Sequence, residues 1–345
     1  MKKGITQKEI ARQLGISQAL VSRALGGTAG AIDASPVTVE KIRRAAAHLN
    51  YSPNAAALTL KGAPSRTLGV IVKNFDDPFF GHMIGVLQTL ARRQHYALLL
   101  VGWEQGNSAS SEEMMLRKYQ PDALIVCGSD YCPPAAQAFL DAGKPVVQIG
   151  LGKVVRGVRQ VAVDEVAGMK ELVGFLVEKG HLRIGYVGDA SVPQLRRENC
   201  LRATVKDKSL MVRPEWFVRL GESSDRAVKE AMDHLMEQGM RHVPSALIAA
   251  DDVMAQRVMR ALYDRGIRVP EEISLAGIDD IPAAKMMIPA LTSIHQPVEE
   301  MVRQAFQWVT GVRGKENGVM VVAPSLVIRE SCGPVRAGDD NRRTI

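Results

Sequence analysis

"TQKEIARQLGISQALVSRAL", Thr6–Leu25, holds two short helical patterns separated by a glycine. Thr6 followed three residues later by Glu9 has the spacing of a capping box, and Ile10, Ala11 and Leu14 then fall on one helical face. Gly15 breaks this helix, Ser17 can cap the next, and Leu20, Val21, Ala24 and Leu25 form an inward face. Gln18, Ala19, Ser22 and Arg23 are left toward solvent. Two short helices about a glycine turn predict a helix-turn-helix whose second helix presents Gln18 and Arg23 to base edges or phosphates. A third helix is expected after Ser35 and Pro36, with Val39, Ile42, Ala46 and Leu49 closing a small all-α core.

The charge distribution agrees with that reading. The chain has 345 residues and a formal net charge of +7. Residues 1–66 carry ten Lys/Arg against three Asp/Glu, while the remainder is balanced at 34 of each. A basic excess confined to the first fifth of a chain is the electrostatic footprint of a module that neutralises phosphates.

The composition excludes other classes. With 46% hydrophobic and 23% charged residues, no run approaches the roughly 20 apolar residues of a membrane span. Lys2 and Lys3 lead into polar sequence rather than the apolar core of a signal peptide, so a cytoplasmic protein with no membrane partner is expected. Cys127, Cys132, Cys200 and Cys332 are scattered without the paired spacing of a zinc site, and the seven histidines do not cluster. Reduced, structural thiols and no metal or cofactor are therefore expected.

After the third helix, "YSPNAAALTLKGAP" reads as a linker. Pro53 stops the preceding helix, and Asn54 can cap a short Ala/Leu-rich segment over 55–60 that is too short to be stable alone. From Leu68 onward, apolar strands alternate with amphipathic helices. Ten strands are expected, at 68–72, 97–101, 123–127, 146–149, 161–163, 184–187, 216–219, 246–250, 274–278 and 320–322, with helices such as 81–93, 165–179, 225–238 and 253–265 between them. This alternation predicts two parallel α/β sheets, with a ligand site in the cleft between them. The expected divisions are a DNA-binding head at 1–52, a hinge and linker at 53–66, a two-lobed domain at 67–335 and a polar tail at 336–345.

The chain resembles the bacterial lactose repressor/galactose repressor (LacI/GalR) family of transcription regulators from Thr6 to about Cys332. The resemblance is carried by T-x-K-E-I-A-R-x-L-G-I-S-x-x-x-V-S-R-A-L, Y-S-P-N-A-A-A, L-G-V-I-V, D-P-F-F, A-L-I-V, V-D-E-V-A-G, K-G-H-L-R-I-G-Y-V-G, D-R-G-I-R-V-P-E-E-I-S-L-A-G-I-D-D and L-T-S-I-H-Q-P. It implies an all-α helix-turn-helix head joined by a hinge helix to a two-lobed domain like a periplasmic binding protein. It also implies a homodimer that binds double-stranded operator DNA, acts as a repressor, and is controlled by a small effector, a sugar or sugar derivative, held between the lobes.

By the same resemblance, Ser17 begins the recognition helix, Gln18 and Ala19 read bases, Ser22 and Arg23 touch backbone or bases, and Thr6 meets a phosphate. Asn54, Ala57 and Leu60 belong to the hinge, with Leu60 entering a minor-groove step. In the cleft the resemblance points to Phe79, Phe80, Ser129, Asp130, Asp164, Arg197, Asp251 and Asp279. Aromatic rings stack on the C–H face of a sugar, while carboxylates and an Arg fork take hydroxyl hydrogen bonds. Arg196 stands as an alternative to Arg197. Asp251 takes the place of a customary Asn, and Asp164 and Asp251 each precede a helical pattern, where they can equally be N-caps.

No phosphate-binding G-x-x-x-x-G-K-[ST], dinucleotide-binding G-x-G-x-x-G or nucleophile-elbow G-x-S-x-G occurs at a strand end, so no enzyme is expected. The alternatives are a pure small-molecule binding protein and a regulator that responds to nucleosides rather than sugars.

Overall fold

The computed structural model describes residues 5–25, 34–49, 51, 64–103, 110–128, 134–152, 155–237, 239, 242–311 and 318–335. The chain divides into two compact units, Met1–Arg66 and Thr67–Ile345. The hinge residues Asn54, Ala57 and Leu60, the loop residues Ser129 and Asp130, Cys132 and the tail at 336–345 lie outside the described residues.

The first unit is the expected helical head, with α1 (Gln7–Leu14), α2 (Gln18–Leu25) and α3 (Pro36–His48). Thr6 caps α1 reciprocally: its Oγ1 accepts from the Glu9 amide at 3.3 Å, and Glu9 Oε2 accepts from the Thr6 amide at 2.6 Å. Gly15 ends α1 at φ +66°, a conformation that costs a residue without Cβ little, and its amide returns to the carbonyls of Ala11 and Arg12. Ser35 and Pro36 open α3 as cap and first residue. Ile10, Ala11, Val21, Ala24, Ile42 and Ala46 form the core, with Leu14, Leu20, Leu25, Val39 and Leu49 packed at its edge.

The second unit contains two six-stranded sheets. The first orders its strands β11-β5-β4-β3-β1-β2 and is parallel throughout, with β1 (Thr67–Val72), β2 (Ala97–Gly102), β3 (Ala123–Cys127), β4 (Val146–Ile149), β5 (Arg159–Val163) and β11 (Val319–Val322). The second orders them β12-β10-β9-β8-β6-β7, with β6 (Ile184–Asp189), β7 (Phe217–Leu220), β8 (Ala246–Ala249), β9 (Ser274–Asp279), β10 (Thr292–His295) and β12 (Ser325–Val327). Only β12 runs antiparallel to its neighbour, β10.

The inner strands of the first sheet are buried on both faces, as in parallel sheets generally, while the edge strands β2 and β11 are partly exposed. On β3, Ala123, Ile125 and Cys127 face α4 (Pro78–Arg93) and α11 (Val298–Val309). Leu124 and Val126 face the side of α5 (Ser110–Tyr119) and α6 (Pro134–Asp141). This is the period-2 alternation of a pleated strand, with both faces apolar. The second sheet packs against α7 (Glu165–Glu178), α8 (Val192–Asp207), α9 (Asp225–Glu237) and α10 (Asp252–Asp264) in one continuous core. Because α11 and β11 return to the first lobe and β12 to the second, the chain passes between lobes near Asp164, Gln296 and Pro324.

Among the described residues there are twelve strands where ten are expected. The additional β10 and β12 are short, and β10 buries the polar Thr292 and Ser293 beside Ile294. Trp216, expected in a strand, closes the 3-10 turn Pro214–Trp216, and β7 begins one residue later.

Candidate functional site

In the head, α2 begins after Ser17, whose Oγ accepts from the Leu20 amide at 3.2 Å. Val21 and Ala24 are buried, so the opposite side of the helix is turned outward: Gln18, Ala19 and Arg23 are exposed and Ser22 is half-buried. Thr6 donates its hydroxyl to Glu9 Oε2 at 2.9 Å, so its capping role is already occupied by protein partners.

In the second unit, strand order creates the cavity. Both sheets place their first strand between their second and third, and at such a switch point the connections leave to opposite faces, opening a crevice beyond the carboxyl ends of the strands. A cavity of about 470 Å³ lies there. From the first lobe it is lined by Lys73, Asn74, Asp76 and Asp77 after β1, by Phe79 and Phe80, and by Gly128 and Gly150 after β3 and β4. From the second it is lined by Asp189, Asp251 and Asp279 at the ends of β6, β8 and β9.

Arg197, on α8, organises the second-lobe wall. Its Nε donates to Glu165 Oε1 at 3.1 Å, one terminal nitrogen to the Ala250 carbonyl at 2.6 Å, and the other to Asp279 Oδ1 at 3.1 Å. Burial alone lowers the pKa of Arg197, but Asp279, then Glu165 and Asp251, raise it above its ordinary value, so the guanidinium stays charged. Asp279 is 7% exposed and also accepts from the Gln296 side chain. Burial raises its carboxyl pKa well above the usual range, with Arg197 pulling the other way. Its backbone stands at φ +115° and that of Asp280 at +55°, sparsely populated conformations that leave Asp279 turned to Arg197 and Gln296 and Asp280 turned to Arg329 and His295.

The other carboxylates are held individually. Asp251 caps α10 through the Met254 amide at 2.7 Å and accepts from Gln194 Nε2 at 3.0 Å. Asp77 caps α4 through the Phe79 amide at 2.9 Å, and burial raises its pKa. Burial also acts upward on Asp189, but hydrogen bonds from Ser191 and Ser223 hold it below the ordinary value. Phe79 and Phe80 meet edge to face, with centroids 5.5 Å apart.

Of the cleft residues expected from sequence, Phe79, Phe80, Arg197, Asp251 and Asp279 line this cavity. Asp164 does not line it: its carboxyl accepts from the Ala167 amide at 2.9 Å and caps α7. Arg196 is turned to Glu165 and to the Leu151 carbonyl, so Arg197 is the arginine at the cavity wall. Sequence reasoning missed Asp77, Asp189, Gln194, Ser223 and Gln296. Asp77 and Gln296 lie inside motifs already singled out, and Asp189 is betrayed only by its place at the end of a parallel strand.

Asp252, next to the cavity, is fully buried; its carboxylate accepts from Ser293 Oγ at 2.6 Å and the Ile281 amide at 2.8 Å. Gly277 makes room for it, since a Cβ there would lie 2.2 Å from Asp252 Oδ1. Burial pushes the Asp252 carboxyl up to about 7. An unfolded aspartate titrates near 3.9, so the folded state holds a proton that the unfolded state lacks between about pH 4 and 7, and stability falls as pH rises through that window. The loss amounts to something on the order of 4 kcal/mol by pH 8. Asp252→Asn is expected to raise Tm at pH 8 by about 5 °C and to give no gain at pH 4.5, as read by calorimetric melting. Equal effects at both pH values would refute this account of Asp252.

A helix-turn-helix head followed in the same chain by a two-lobed domain with a polar interlobe cavity defines a DNA-binding regulator with a small-molecule sensing domain. A family model for a periplasmic binding protein-like domain matches residues 173–332. The chain is 31% identical over 340 residues to the HTH-type transcriptional regulator GalS of Salmonella typhimurium strain LT2, covering 95% of this chain and 96% of that protein. It is 27% identical over 335 residues to the HTH-type transcriptional repressor PurR of Histophilus somni strain 129Pt, covering 94% and 98%. Among solved structures, a Lac repressor dimer bound to operator and the anti-inducer ONPF matches with a TM-score of 0.80 at 23% identity, covering 96% of this chain and 100% of that one. The transcriptional regulator CelR in complex with cellobiose matches with a TM-score of 0.67 at 24% identity, covering 95% and 99%. The chain belongs to the LacI/GalR family. It is a transcriptional regulator and not an enzyme. Because the match to GalS runs through the head as well as the two-lobed domain, the alternative of a pure binding protein is not favoured. No helix among the described residues is long and apolar enough to cross a membrane.

Proposed function

We propose that this protein is a cytoplasmic, homodimeric repressor that binds a two-half-site operator through α2 and releases or holds it according to a sugar or sugar derivative bound between the lobes. The observation that carries the reading is the outward side of α2, which presents Gln18, Ala19 and Arg23 from a basic head, in the same chain as a cavity of about 470 Å³ at two switch points. Gln18 and Ala19 read base edges, Ser22 and Arg23 meet backbone or bases, and Ser17 and Thr6 set the helix N-termini against phosphates. Residues 53–66 act as the hinge, with Asn54, Ala57 and Leu60 at the minor groove and Leu60 as the wedge. In the cleft, Phe79 and Phe80 supply the stacking face, and Arg197, Asp251 and Asp279 the polar contacts; Ser129 and Asp130 are assigned further hydroxyl and carboxylate contacts to the same ligand. Asp164 serves this site by fixing the start of α7, not by touching the ligand.

Ligand control follows from linkage. A sugar that contacts both lobes favours one lobe arrangement, and whichever arrangement also favours ordering of the hinge changes DNA affinity by the same coupling free energy. Fluorescence anisotropy with the DNA upstream of the protein's own gene tests this. Saturable binding at least a thousandfold tighter than to unrelated DNA is expected, with the Kd shifted at least fivefold by one member of a panel of sugars and nucleosides. Binding no tighter than to unrelated DNA would sink the operator reading, and a Kd indifferent to the whole panel would sink the effector reading.

A further inference from the structure

The cavity wall is unbalanced in charge. Among the described lining residues, Asp76, Asp77, Glu165, Asp189, Asp251 and Asp279 carry carboxylates, against three cations, Lys73, Arg197 and Arg257. Two of these cations are committed to protein carboxylates: Arg197 spans Glu165 and Asp279, and Arg257 is drawn to Asp225, which does not line the cavity; Arg196, also outside the lining, pairs with Glu165, so among these carboxylates those without an arginine partner are Asp76, Asp77, Asp189 and Asp251. Lys73 acts on both Asp77 and Asp189.

The imbalance is also shared between the lobes. Asp76 and Asp77 follow β1 of the first sheet, whereas Asp189, Asp251 and Asp279 end strands of the second or stand just beyond them. Asp251 repels both Asp77 and Asp279. Carboxylates only accept hydrogen bonds, so what the protein leaves unfilled must be met by a donor. One oxygen of Asp77 takes the Phe79 amide, and Asp279 Oδ1 takes Arg197 and Gln296. A neutral sugar supplies hydroxyl donors but leaves the charge uncompensated. An ammonium group brings three donors and a positive charge, and the nearby Phe79 and Phe80 rings attract cations as well as C–H faces.

We propose that the effector of this chain is an amino sugar, whose protonated amine sits among Asp77, Asp251 and Asp279 and thereby ties the first lobe to the second. The inference rests on the reading of the cleft as a sugar site. It gives the cleft a selectivity device as well: a ligand without the charge leaves the facing carboxylates repelling one another, and an anionic sugar adds to the repulsion.

Titration calorimetry on the full chain at pH 7 tests it, with glucosamine, galactosamine and mannosamine each set against its neutral hexose and its N-acetyl derivative. At least one amino hexose is expected to bind tenfold or more tightly than both of its counterparts. That preference is expected to fall about tenfold in Asp251→Asn, a substitution that keeps the cap of α10 because Asn caps as well as Asp. The comparison on the unaltered protein stands whether or not the variant folds. A neutral or N-acetylated hexose that binds as tightly as its amine overturns the proposal and leaves the sugar reading intact. Binding by none of the compounds overturns both.

Discussion

Arg197→Leu is expected to lower the stability of the folded chain by about 3–5 kcal/mol and to abolish ligand binding in the cleft. The side chain is 10% exposed and its partners Glu165 and Asp279 are 17% and 8% exposed, so the three groups are largely shielded from bulk water. Removing it takes a partner from two carboxylates and from the Ala250 carbonyl at once. Glu165 keeps Arg196 as a partner, which leaves Asp279 as the larger cost. That cost depends on pH with a definite sign. Without Arg197, the folded pKa of Asp279 rises further above its unfolded value; the destabilisation is then complete at high pH and is recovered as pH falls and the carboxyl takes up a proton. Urea denaturation should therefore show a deficit at pH 8 that narrows by pH 5. Arg197→Lys keeps the charge but not the fork that reaches three acceptors, and should lose less stability while still losing ligand affinity. An unchanged unfolding midpoint in Arg197→Leu at pH 8 would mean that the second-lobe wall is not held in this way.

Strands were legible in the sequence where they are apolar on both faces, and illegible where they are not. β3, Ala123–Cys127, is an unbroken apolar run, and β4, Val146–Ile149, is interrupted by a single polar residue, Gln148, which is buried and donates to the Gly128 carbonyl; near-continuous apolar runs are the appearance of buried parallel strands. β10 hides Thr292 and Ser293, whose hydroxyls are satisfied by the Arg329 backbone and by the Asp252 carboxylate. Their burial depends on partners about 40 residues away, which no local pattern records. Trp216 looked like a strand residue because aromatic residues favour strands; Pro214 starts a tight turn there instead.

The site was legible to the extent that its residues stand at strand ends. Asp251 and Asp279 follow the apolar runs of β8 and β9, and parallel strands point their carboxyl ends at the crevice. Asp164 has the same local signature as Asp251, an acid before a helical pattern, and both are caps. What separates them is side-chain direction: Asp164 lies where the chain leaves one lobe for the other, between Val163 and Glu165, which line the cavity, but its own carboxyl is turned to the start of α7. Arg196 and Arg197 are neighbours on a helix and point about 100° apart, so a shift of one residue in phase decides which faces the cavity. Asp189, Gln194 and Ser223 meet only in three dimensions: Asp189 accepts from Ser223 at 2.6 Å across 34 residues, a contact that spacing cannot reveal.

In the head, Gln18→Ala is expected to cost operator binding tenfold to a hundredfold while leaving binding to unrelated DNA unchanged, because a side chain that reads base edges is worth about 1–3 kcal/mol only where the base is right. Arg23→Ala should behave differently if it meets the backbone. It should weaken both kinds of binding and reduce the slope of log K against log salt by about one, the counterion released at a single phosphate contact. Both side chains are exposed, and the core of Ile10, Val21, Ala24, Ile42 and Ala46 lies on the other side of α2, so neither substitution should change folding stability by more than about 0.5 kcal/mol. Thr6→Ala is the contrast: it removes the Glu9 capping box and should cost about 1 kcal/mol of head stability whether or not DNA is present. Anisotropy on operator and unrelated DNA at several salt concentrations, beside thermal melting, separates the three cases. If Gln18→Ala weakened operator and unrelated DNA equally, the basic head would still account for binding, but the outward side of α2 would no longer account for its sequence selectivity.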